Sequence, residues 1–216
     1  MMLFPSSTLV SKSIPKTAFY RNLEVSANVR QRFVDEVAGI TWMAKLAPST
    51  LNVADGKTVH EIAVFRMELK RKEVPTEVLN TIDRQMPRHT IFLLQHEEEF
   101  CLFVNYKEWH DATNAQFDIV KTFQTEWTQA SNLSLELDGR DMDAIYSSIV
   151  KQVAGAVITA EAKDIHSAVV QTKEQEALLQ KIAVLETKVA KELQPKKKFE
   201  LHQQLVKLKR KCYSKL

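Results

Sequence analysis

Residues 61–94, EIAVFRMELKRKEVPTEVLNTIDRQMPRHTIFLL, decide the fold. In the first part Ala63, Phe65, Met67 and Leu69 alternate to one side of an extended segment. Ile62 and Val64 fall on the other side, where Arg66, Glu68 and Lys70 then take over. A strand so patterned is buried along one face and emerges into solvent on the other towards its carboxyl end. Val74, Val78, Ile82 and Met86 next recur every four residues, with Pro75 near the start and Pro87 at the end, which marks a short helix with an apolar stripe. The β-rich run from Thr90 to Gln95 completes a strand, helix, strand unit, for which two parallel strands and a right-handed crossover are expected.

Working outward, Met1–Lys16 is rich in Ser, Pro and Lys and reads as a flexible N-terminus over residues 1–15. Ser26 is an N-cap candidate, and Val29, Phe33, Val37 and Ile40 keep helical spacing to about Ala44, before Pro48. Ser49–Val53 is expected as a short strand turning at Asp55 and Gly56 into the central one. Beyond the crossover, Thr90–Gln95 and Phe100–Tyr106 form a hairpin with an acidic tip at His96–Glu99. Phe117–Trp127 has the mixed pattern of a sheet edge, and Leu133, Leu135 and Leu137 alternate as a last strand. Asp141 then caps a helix carrying Met142, Ile145, Tyr146, Ile149 and Val153.

After Gly155 no strand signal returns. Residues 156–172 read as a linker or helix. In residues 173–216 Leu178, Ile182, Leu185 and Val189 step by four, three and four, and Leu201, Leu205, Leu208 and Cys212 repeat that spacing after Pro195. Two such seams predict a coiled-coil-like antiparallel helical hairpin. Each helix is too short to hold alone in water, so the stripes are buried on each other, on the core, on a second copy or on another protein. The fold class expected is therefore α+β, a mixed sheet of five or six strands with packed helices over residues 16–155, followed by the hairpin.

Composition bounds the function. A length of 216 residues suits one core domain plus an appendage, and 44% hydrophobic with 26% charged residues suits a packed, soluble chain. The net charge of +3 hides an asymmetry, because Lys196–Leu216 holds eight Lys or Arg against one Glu. Cys101 and Cys212 are the only cysteines, which argues against a disulfide framework or a structural zinc site and for a reducing compartment. The start has no apolar run of signal-peptide length, and no segment approaches the roughly 20 apolar residues that span a bilayer. A cytoplasmic location without a membrane partner is expected. The four glycines form no phosphate-cradling motif, and the six histidines show no H-x-x-x-H or H-x-H spacing. No cofactor is expected.

Three motifs bear on function. The leucine stripes, Leu178, Ile182, Leu185, Val189, Leu201, Leu205 and Leu208, are the candidate protein contact. Lys196, Lys197, Lys198, Lys207, Lys209, Arg210 and Lys211 are candidates for DNA or RNA contact through phosphate neutralisation. Glu68 and Lys70 form an E-x-K on a central strand, the pattern of restriction-type nucleases. There the carboxylate ligates a divalent metal and the ammonium orients a nucleophilic water, both on one face by strand alternation. The acid that such a site takes from the preceding strand is missing, Asp55 being the only nearby Asp.

The runs IPKTAFY, VFRMELK, VLNTIDRQMP, HTIFLL, the TEW of Thr125–Trp127, LDGRDMDAIYSSIVKQVAG and KKFELHQQLVKLKRK together resemble a bacterial family classed as a domain of unknown function. Its members are typically encoded beside helicases and DNA methyltransferases, in loci resembling restriction or phage-defence systems. The resemblance implies a supporting subunit in DNA-directed defence, and it supplies no catalytic residues. The expected function is thus a non-catalytic accessory subunit that uses its hairpin to engage a helicase-type partner or a second copy. The alternatives are a metal-dependent nuclease at Glu68 and Lys70 and a nucleic-acid binder through the basic tail.

Overall fold

The computed structural model describes residues 3–18, 25–111, 116–158 and 165–213. Two compact units divide the chain at Ala156 and Val157. The first is α+β. Among the described residues its seven strands form one sheet: β1 (Leu9–Ser13), β2 (Val37–Leu46), β3 (Ile62–Leu69), β4 (His89–His96), β5 (Glu99–Asp111), β6 (Gln116–Gln124) and β7 (Thr128–Gln129). They lie side by side in chain order from β1 to β6, with β7 added to β5. Helices α1 (Ala27–Glu36), α2 (Thr76–Gln85) and α3 (Met142–Ala154) pack on this sheet.

The opening stretch behaves as its periodicity predicts. β3 and β4 pair in parallel from Ile62 opposite His89 to Glu68 opposite Gln95, and the other pairings between these strands are antiparallel. Ala63, Phe65, Met67 and Leu69 enter one core cluster with Phe92, Leu94, Cys101 and Phe103 from the neighbouring strands. Val29 and Phe33 of α1 and Val78, Leu79 and Ile82 of α2 cover them. Each such side chain, fully buried, contributes about 1.5–3 kcal/mol. Ile62, Val64, Ile91 and Leu93 are buried on the opposite face. α3 covers that face, since Tyr146 stacks on Tyr106 and its hydroxyl donates to the Asn105 carbonyl. Asp141 caps α3 as expected, its carboxylate accepting from the Ala144 N–H at 2.8 Å.

Elsewhere the fold departs from the sequence reading. Within the expected flexible N-terminus of residues 1–15, the described residues from 3 onward are partly structured: Ser6–Thr8 is a 3₁₀ turn, β1 pairs with β2, and Phe4 and Thr8 are buried. The helix starting after Ser26 stops at Glu36, and Val37–Leu46 is a strand instead. Spacing of four suits a helix, but Val37, Ile40, Thr41 and Trp42 favour a pleated surface, and β1 and β3 complete their ladders on both sides. The expected strand at Ser49–Val53 is a one-turn helix, Pro48–Leu51, closed by Asn52 in the left-handed conformation, so β2 itself makes the antiparallel pair with β3. Leu133, Leu135 and Leu137 alternate without joining the sheet. The Gln152 amide stands in for a strand neighbour there, accepting from the Glu136 N–H at 2.9 Å and donating to its carbonyl at 2.7 Å.

The second unit is the predicted antiparallel hairpin. Helix α4 (Ile165–Lys191) begins eight residues before the expected start, so the helix reading of residues 156–172 holds from Ile165. Glu192–Gln194 turns the chain into α5 (Pro195–Tyr213). Ile182, Leu205 and Cys212 are buried between the helices, with Leu185, Val189 and Leu208 packed against them.

Candidate functional site

Three places hold the chemistry-bearing residues, and the carboxyl end of β3 is the first. Strand alternation leaves the Glu68 side chain about half exposed, 3.3 Å from the Arg66 guanidinium, above Gly39 of β2. Lys70 is engaged elsewhere. Its ammonium donates to the Val34 carbonyl at 2.9 Å, and its backbone N–H donates to the Glu36 carbonyl. Lys70 therefore closes the last turn of α1, where unpaired carbonyls and the negative end of the helix dipole favour a cation. Lys16 does the same at the Val37 carbonyl, 2.6 Å away, and burial together with the nearby Lys70 charge lowers its pKa. Asp55 is held by His60 Nδ1 at 3.0 Å and by the Gly56 N–H. Among the described residues no group of three or more His, Cys, Asp and Glu could hold a metal ion. Glu68 and Lys70 thus engage different neighbours, the Arg66 guanidinium and the end of α1.

The second place is one that no sequence motif announced. Asp83 on α2 and Lys107 on β5 form an ion pair of 2.7 Å with both side chains fully buried. The Lys107 ammonium also donates to the Asp83 carbonyl at 3.1 Å and the Arg88 carbonyl at 2.7 Å, and lies 4.4 Å from the Phe117 ring centroid. Asn105 donates to Asp83 and Asn80 and accepts from the Thr122 hydroxyl. Every strong polar group here has a partner, which is the condition for burying charge. Burial lowers the Lys107 pKa, with Asp83 opposing. His89 sits beside this network against Phe117 and Tyr146, and burial, then the Lys107 charge, brings its pKa down to about 3. The cluster is closed and saturated. Its role is to lock α2 onto β5, and twenty-four residues of sequence separate the charges, so only the folded topology brings them together.

The hairpin is the third. Of the seven stripe residues, Ile182 and Leu205 are buried and Leu178, Leu185, Val189, Leu201 and Leu208 are half-buried. Ile182, Leu185, Val189, Leu205 and Leu208 pack on one another between the helices, whereas Leu201 lines an open groove. Left outside are Leu179 and Val184, each 50% exposed, Phe199 at 63% and Leu193, in the turn, at 93%. An open groove of about 510 Å³ runs beside Val184, Thr187, Lys188, Lys191, Glu192 and Leu201. Of the basic candidates, Lys196, Lys197, Lys198, Lys207, Arg210 and Lys211 are exposed, and Lys209 is half-buried and reaches Glu186 of α4 at 2.6 Å. The exposed apolar set could not be read from the seam spacing, because those residues fall between its steps.

The family described as Domain of unknown function (DUF4391) matches residues 2–211. No curated protein and no solved structure matches the chain. No described helix is long and apolar enough to cross a membrane.

Proposed function

We propose, since this chain belongs to the DUF4391 family of domains of unknown function, that it is a non-catalytic interaction subunit of a bacterial, cytoplasmic, DNA-directed defence complex. Its partner is a larger DNA-acting protein of helicase type, in keeping with the gene neighbourhoods of the family it resembles. One observation carries the reading: a separate helical unit has its seam already closed, yet it presents Val184 and Leu193 to solvent beside an open groove. Exposed apolar side chains of this kind on a helical hairpin suit a partner surface. The contact therefore lies on what the seam leaves outside, with Leu201 lining the groove.

Co-expression of the tagged full chain with a candidate helicase of the kind proposed tests this. The wild-type chain should retain the helicase on affinity resin, V184D/L193D should lose it, and K196E/K197E/K198E should keep it. Equal retention by V184D/L193D, or none by the wild type, would reject the proposal.

A further inference from the structure

We infer that the outward face of α5 is a binding surface for the phosphodiester backbone of a nucleic acid, an inference independent of the partner reading above. Lys196, Phe199, Gln203, Lys207 and Arg210 follow one another at steps of three and four, and all five are exposed. Such steps place them on a single face of the helix. From Lys196 to Arg210 that face extends about 21 Å at the helical rise of 1.5 Å per residue. Lys197 and Lys198 thicken the charge at its start, and Glu200 is the only acid on the helix. Glu186 of α4 pairs with Lys209, leaving the outward row uncompensated by that acid. The asymmetry holds for the whole unit: residues 157–216 carry thirteen Lys or Arg against seven Asp or Glu, a net +6, so the first 156 residues carry −3 of the total of +3.

The shape of this charge selects the partner. An anionic membrane touched by the hairpin turn would meet Leu193 and the lysines of the first turn of α5, but not Lys207 and Arg210 some 15–20 Å along the axis. A linear polyanion laid along α5 meets them all. Duplex nucleic acid presents about one charge per 1.7 Å of axis, so a face of this length finds phosphates at every cation. Phe199, 63% exposed in the middle of the basic run, offers a ring face for a base, which an acidic peptide has no use for.

Fluorescence anisotropy with the full chain tests the surface, with a short labelled DNA duplex, a DNA single strand and an RNA duplex as separate arms. Neutralising four to five phosphates predicts a log–log salt slope of about −4, hence a roughly 250-fold loss of affinity between about 50 and 200 mM salt. K196E/K197E/K198E and, independently, K207E/R210E should each weaken low-salt binding by about tenfold or more and reduce the slope by about two. The tightest arm identifies the nucleic acid. No binding at low salt, wild-type binding by both variants, or competition by polyglutamate or anionic vesicles equal to that of unlabelled nucleic acid at matched charge would each overturn the inference. V184S/L193S, which removes the exposed apolar groups without adding charge, should leave this binding unchanged, which separates a failure here from a failure of the partner contact.

Discussion

Replacing Lys107 by Met probes the buried network with the fewest side effects. The substitution keeps most of the side-chain volume and removes an ammonium that donates to Asp83 Oδ1, the Asp83 carbonyl and the Arg88 carbonyl. The Asp83 carboxylate, wholly buried, then keeps Asn105 Nδ2 at 2.8 Å as a neutral donor but has lost its cation. Uncompensated charge of this kind costs about 3–5 kcal/mol, whereas exchanging both partners for apolar groups is often neutral or better. K107M should therefore lower stability by about 3–5 kcal/mol, or roughly 6–20 °C in Tm at this chain size. D83L/K107M should recover most of that, giving a coupling energy of several kcal/mol. Urea denaturation followed by tryptophan fluorescence is the assay, because Trp42, Trp109 and Trp127 all lie in the first unit. A K107M loss below about 1 kcal/mol, or a double variant as unstable as the two single losses added, would refute the reasoning.

Other outcomes follow from single sites. Ala at Gly56 would bring a Cβ to 2.5 Å from the Val59 carbonyl and 2.7 Å from Asp143 Oδ1, so G56A should cost about 1–3 kcal/mol in the same denaturation assay. His89 holds its pKa near 3, below the ordinary 6.5, through burial and the Lys107 charge, with His60 adding and Asp143 opposing. The unfolded chain then takes up a proton that the folded one refuses, so stability falls as pH drops from about 6.5 towards 3, by up to about 1.4 kcal/mol per pH unit. H89Q should flatten that part of the curve between pH 7 and 5, and an unchanged slope would count against it. Plasmid DNA incubated with the pure protein and Mg²⁺ or Mn²⁺ should show no cleavage that depends on Glu68, as judged against E68A.

The parts of the fold legible in the sequence are those whose signal is local. β3, α2 and β4 each carry their own period and are bounded by Pro75 and Pro87, and the hairpin seam repeats within one helix at a time. What failed needed a neighbour. Val37–Leu46 is a strand because β1 and β3 flank it, and β1 exists only because β2 offers an edge, despite Ser11 in a left-handed conformation and a break in register. Leu133–Leu137 alternates like a strand, but the partner at Glu136 is the side chain of Gln152. The candidate sites divide in the same way. Lysines and leucine steps could be counted, whereas the task of Lys70 at the end of α1, and the meeting of Asp83 with Lys107, depend on elements far apart in the chain.

Hydrogen–deuterium exchange on the full chain, alone and mixed with a candidate helicase-type partner of the kind proposed, tests the central claim most directly. Amides from about Leu179 to Phe199, spanning the groove beside Val184 and the turn at Leu193, should gain protection while those at the carboxyl end of β3 stay unchanged. Protection confined to Glu68, Lys70 and the strands around them, with the hairpin unaffected, would contradict the account.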